Sequence, residues 1–133
     1  MAWPPGEYFE TIIRKAKDFF GDVQIERYEI GDLHGLLDFE CRWKHYRIII
    51  SEIHRRDGSW RYAYYVLDNE NKIVHAFDNS PDISAVKQKY GSDWAPHFHE
   101  EIPHEHDGSG NILLSSTSLS FAEFVSWVAD KFK

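Results

Sequence analysis

Thiol chemistry is nearly absent from this chain. Its one cysteine, Cys41, excludes an internal disulfide and points to a reducing compartment. Cys41 shares a strand face with Leu37, Phe39 and Trp43, so it reads as a core thiol rather than a nucleophile. Long apolar runs are missing too, and none approaches the length needed to cross a bilayer. The opening Met-Ala-Trp-Pro-Pro-Gly-Glu has neither the basic nor the apolar region of a signal peptide. These absences set the expectation of a cytoplasmic protein with no membrane partner. A basic excess is also lacking. The formal net charge is −7 and there is no Lys/Arg run, which argues against non-specific nucleic-acid binding. Local positive density at Arg42, Lys44, Arg47, Arg55, Arg56 and Arg61 still leaves room for a small RNA site. No glycine-rich phosphate loop, Cys-x-x-Cys or Gly-x-Ser-x-Gly occurs. Asp38 and Glu52 do not make a paired-carboxylate nuclease motif, because His54 stands where its lysine belongs.

What remains is enough for one domain, residues 1–133, able to bury a core without covalent staples. Tyr8, Phe9, Ile12, Ile13, Ala16, Phe19 and Phe20 follow helical spacing, which predicts a helix over Gly6 to Phe20 stopped at Gly21. A strand-rich middle follows. Val23, Ile25 and Ile30 mark a first strand, and Leu37 to Trp43 alternates as a second. Tyr46 to Ile53, Trp60 to Leu67 and Ile73 to Phe77 supply three more, with Asp57-Gly58 as a hairpin turn. Short connections make consecutive strands antiparallel neighbours. Ile83 to Tyr90 reads as a short helix, and a last helix starts at Ser120 with a Ser120/Glu123 capping box. The expected fold is α+β: an antiparallel meander of about five strands, with the N- and C-terminal helices packed on one face.

Half of the eight histidines lie within ten residues: His97, His99, His104 and His106. The prolines around them argue against a helix, and a loop or edge strand is expected. Each pair has i, i+2 spacing, which on extended backbone puts both imidazoles on one side. Such pairs can chelate a zinc or nickel ion, with Glu100, Glu101 or Glu105 as further ligands. They can equally serve as acid and base, or be a solvated loop. Asp78, ending the fifth strand in Asp-Asn-Ser-Pro, is either a turn former or a carboxylate aimed at the histidine loop. Trp60, Tyr62 and Tyr64 share one strand face, which is either core or a stacking platform for bases.

The stretch from Tyr62 to Val125 carries "YAYYVLDNENKIVHAFDNSPD", then "IPHEHDGSGN", then "SLSFAEFVSWV". It resembles the TumE family of toxin-antitoxin toxins, most specifically at Asp78-Asn79-Ser80-Pro81 and next at Pro103 to Gly108. Asp82 departs from the family pattern, which usually has histidine there. The resemblance implies the toxin of a type II toxin-antitoxin module, paired with a helix-turn-helix antitoxin. Joined to the histidine cluster, it suggests a metal-independent ribonuclease without cofactor. His104 and His106 would be acid and base, Asp78 the orienting carboxylate, and His97 and His99 further members of the site. Arg61, Tyr62, Tyr64 and Asn79 would contact substrate. The alternatives are a non-catalytic module that docks on an antitoxin or on a second copy as a homodimer, and a hydrolase dependent on a transition metal such as zinc.

Overall fold

The computed structural model describes residues 3–133; Met1 and Ala2, part of the amino-terminal stretch read above, lie outside them. Helix α1 (Gly6–Phe20) is followed by strands β1 (Val23–Ile30), β2 (His34–Trp43), β3 (Tyr46–Arg55), β4 (Trp60–Leu67) and β5 (Ile73–Asp78). Then come α2 (Ile83–Tyr90), 3₁₀ turns at Gly91–Asp93 and Ala95–His97, strands β6 (His104–Asp107) and β7 (Ile112–Leu114), and α3 (Phe121–Lys131). The class is α+β as expected, but the strand count is corrected. The described residues form one seven-stranded antiparallel sheet whose spatial order is the chain order, β1 to β7. The two added strands are four and three residues long. The first reads as polar loop because half of it is histidine.

Alternation decides which side of the sheet is dry. Leu37, Phe39 and Cys41 of β2, Ile48 and Ile50 of β3, and Tyr62, Tyr64 and Val66 of β4 are all buried. They meet Phe9, Ile12, Ala16 and Phe20 of α1 and Phe121, Phe124 and Val128 of α3 in one core. Both terminal helices therefore cover the same face. Each fully buried aliphatic or aromatic side chain there contributes roughly 1.5–3 kcal/mol relative to exposure. α1 lies so close to β2 that a Cβ at Gly35 would come within 2.6 Å of Pro5 Cγ. The predicted cap of α3 is present: Ser120 Oγ accepts from Glu123 N–H, and the Glu123 carboxylate accepts from Ser120 N–H.

Phe77 belongs to the helix-covered core, so Ala76 and Asp78 on either side of it point to the opposite face. α2 packs beside β7 there, with Ala85, Val86 and Ile102 buried outside the main core. Asp82 is the N-cap of α2, its carboxylate accepting from Ala85 N–H at 3.1 Å. No helix among the described residues is long and apolar enough to cross a membrane.

Candidate functional site

Strand register assembles a cluster of three polar side chains. Asp78 ends β5 and pairs with His104 at the start of β6, while Ala76 pairs with His106. Because side chains two apart share a face, both imidazoles lie on the same side as the Asp78 carboxylate. His104 Nε2 is 3.0 Å from Asp78 Oδ1, and His106 Nε2 is 3.3 Å from Oδ2. Asp78 and His104 are buried, at 3% and 1% exposure, whereas the His106 side chain keeps 22%.

Each member is held from behind. The carbonyl of Ile102 accepts from His104 Nδ1–H at 2.6 Å, which turns Nε2 toward the carboxylate. That nitrogen is not aligned for a hydrogen bond with Asp78 and is otherwise without a partner. Asp78 Oδ1 also accepts from Ser80 N–H at 2.9 Å. Burial works to push the Asp78 carboxyl up, but His104, the Ser80 N–H and His106 outweigh it and hold it below the usual carboxylate range. Burial likewise disfavours a charged His104 ring, yet Asp78 and the Ile102 carbonyl raise its pKa above the ordinary imidazole value. Chemically, the trio can hold a proton between base and carboxylate or bind a cation.

The other residues read from the sequence fall elsewhere. His97 closes a 3₁₀ turn, with its ring stacked on Tyr90 at 3.7 Å and Nδ1 3.6 Å from Glu100. His99 is exposed and packs on Phe98. Neither joins the cluster, so two of the four histidines converge, and not all four. The reason is that the backbone over Ala95–His97 is turned rather than extended, which cancels the i, i+2 argument there. Glu100 pairs with Lys89, Glu101 with the two terminal guanidinium nitrogens of Arg55, and Glu105 with His75, so none completes a ligand set. Tyr62 and Tyr64 are core, 2% and 0% exposed, and cannot act as a stacking platform. Asn79 is structural: its Oδ1 accepts from Tyr62 N–H and its Nδ2 donates to the Trp60 carbonyl, tying the end of β5 to β4. Arg61 donates from Nε to Ser80 Oγ at 3.2 Å, two residues along the chain from Asp78.

A second polar cluster had no motif to announce it. Glu52 is 0% exposed within the helix-covered core. Its carboxylate accepts from Tyr8 Oη–H at 2.9 Å, Tyr64 Oη–H at 2.8 Å and His54 Nε2–H at 2.7 Å. Asp38 pairs with Ser51, so it and Glu52 point to opposite faces, which removes any paired-carboxylate nuclease. A cavity of 290 Å³ opens beside His54, walled by Trp3, Tyr8, Trp60 and Arg56 among others. The Asp78 cluster does not line it. The signal that could have revealed Glu52 and His54 was parity: both stand in phase with Ile48 and Ile50, on the side the helices cover.

Comparison with protein-family models, with curated proteins and with solved structures found no match to the chain.

Proposed function

We propose that this chain is the toxin component of a type II toxin-antitoxin module and that it cleaves RNA at the Asp78–His104–His106 centre. The observation that carries the reading is a coincidence of two independent facts. The two segments that most resemble the TumE family, Asp78 to Pro81 and Pro103 to Gly108, are the two whose side chains meet across β5 and β6. The roles differ from those suggested by spacing alone. With 1% exposure, His104 cannot touch a scissile phosphate, so it acts as a positioning residue for Asp78. His106, the open ring, is the group that exchanges a proton with the attacking 2′-hydroxyl or the leaving oxygen. Arg61, bonded to Ser80 beside Asp78, supplies the cation for a phosphate oxygen in this reading. Purified protein incubated with single-stranded RNA tests this. Cleavage by the native chain and its loss in His106→Ala and Asp78→Asn are the expected results. Undiminished cleavage in either variant removes the centre from the reaction.

A second reading, a docking module for a helix-turn-helix antitoxin or a second copy of the chain, draws on a different observation. β1 is an open sheet edge carrying exposed Ile25 and Ile30, and Leu33 in the following turn is 63% exposed. Light scattering of the lone protein checks the homodimer. A monomer at all concentrations counts against self-pairing.

A further inference from the structure

The Asp78 centre has a feature that proton transfer does not require. His104 is held by its Nδ1–H on the Ile102 carbonyl, so in the neutral ring the lone pair is at Nε2. That nitrogen is buried, has no hydrogen-bond partner and lies 3.0 Å from a carboxylate oxygen. Two lone pairs at that distance repel unless something positive sits between them. A proton on Nε2 does this well only along the N–H direction, and the carboxylate oxygen is off that line. A cation has no such constraint, because it sits at the vertex to which all the ligand lone pairs point. One ligand atom from each of Asp78, His104 and His106 lies within 4.8 Å of the other two. Ligands at about 2.0–2.1 Å around a tetrahedral ion are about 3.3 Å apart; His104 Nε2 lies 3.0 Å from Asp78 Oδ1 and His106 Nε2 lies 3.3 Å from the other oxygen, Oδ2, so the two rings flank the carboxylate at ligand spacing. An imidazole whose far nitrogen donates to a backbone carbonyl is the usual arrangement behind a metal-ligating histidine, because it fixes the tautomer and turns the ring.

We propose that Asp78, His104 and His106 bind one divalent first-row transition ion, with zinc the best match. Two imidazoles and one carboxylate are a borderline-soft set that suits zinc or iron and does not suit magnesium or calcium, which take oxygen ligands. Three protein ligands leave one tetrahedral position open for water, and the 22% exposure of the His106 side chain gives solvent a route to it. The inference rests on the same three residues as the proposed RNA chemistry but does not need it, and while an ion is bound His106 Nε2 is a ligand and exchanges no proton.

The test uses tag-free full-length protein stripped with a chelator and titrated with zinc chloride by calorimetry. One ion per chain is expected, with affinity falling roughly 100-fold or more in His106→Ala. That variant removes the most exposed ligand, and its circular dichroism should match the native chain. Cobalt(II) provides a second readout: a visible absorption band of tetrahedral type in the native chain, lost in His106→Ala. His97→Ala and His99→Ala should bind zinc as the native protein does. No uptake by the native chain, or unchanged uptake in His106→Ala, overturns the site, as does uptake that depends on His97 or His99 instead. Stoichiometric zinc with no RNA cleavage leaves the ion site standing and removes the ribonuclease reading. RNA cleavage by stripped protein that takes up no zinc does the reverse.

Discussion

Replacing Tyr64 with phenylalanine removes one oxygen from the middle of the core and leaves the ring where it is. Tyr64 is fully buried, and its hydroxyl donates to Glu52 Oε2 at 2.8 Å. Glu52 is an acceptor-only carboxylate at 0% exposure, with Tyr8 and His54 as its other donors. Taking away one donor leaves charge buried with two partners in place of three. A hydrogen bond to a charged group is worth about 1.5–3 kcal/mol, against about 5–15 kcal/mol for the stability of a whole domain. At about 4 °C per kcal/mol for a chain of this size, the melting temperature should fall by roughly 6–12 °C. The sign is informative. If the hydroxyl were merely a polar atom trapped among apolar groups, its removal would be neutral or stabilising. Urea unfolding followed by far-UV circular dichroism gives the midpoint and slope, and an unchanged slope would show that the folded and unfolded states keep their compactness. In a Glu52→Leu background, where the acceptor is gone, the same Tyr64→Phe change should cost far less. A Tyr64→Phe chain within about 0.5 kcal/mol of the native one would refute the argument, as would an equal cost in both backgrounds.

Burial and the Glu52 carboxylate raise the phenol pKa of both Tyr8 and Tyr64 above the ordinary value near 10. Their contribution is therefore complete below about pH 10, the unfolded value, and is lost as the pH climbs beyond it, because only the unfolded chain then gives up the protons. Urea midpoints should be level from neutrality to about pH 9.5 and fall above 10, with a shallower fall in Tyr8→Phe/Tyr64→Phe; an identical slope in that variant would contradict the assignment. Burial pushes the Cys41 thiol up to about 12, so the folded chain should resist a thiol-specific disulfide reagent at pH 8 and react promptly in denaturant. Rapid labelling without denaturant would place Cys41 outside the core. Ser120→Ala removes the side-chain half of the capping box on α3, the acceptor for Glu123 N–H, and should lower stability by about 1 kcal/mol, read from the urea midpoint; no measurable shift would mean that this half of the cap contributes nothing.

Helices α1 and α3 could be read residue by residue because their apolar stripes are long and their ends carry chemical punctuation, Gly21 for one and the Ser120/Glu123 pair for the other. Strands β2 to β4 were equally plain, since Leu37, Phe39 and Cys41 alternate with charged neighbours. β6 and β7 could not be read that way. A strand of four residues, His-Glu-His-Asp, has no apolar phase, and only pairing with β5 makes it a strand. The candidate site divides along the same line. Asp78, His104 and His106 could be connected because an i, i+2 spacing has meaning once the backbone is extended. His97 and His99 have the same spacing in a segment that turns, and nothing in Trp-Ala-Pro-His-Phe-His distinguishes the two cases beforehand. Tyr62 and Tyr64 carried two meanings until a face was assigned, and α3 assigns it by covering them.

A sheet whose strands lie in chain order can zip one hairpin at a time, each step closing only a short loop, until it reaches β5. The next pairing must wait while about 25 residues, including α2 and two 3₁₀ turns, make an excursion and return. Relative to a four-residue turn, that closure costs about 1.6 kcal/mol more in chain entropy. β6 then joins through only four residues. The pairing that brings both imidazoles to Asp78 is thus the one that carries the largest loop-closure cost among the sheet's consecutive pairings.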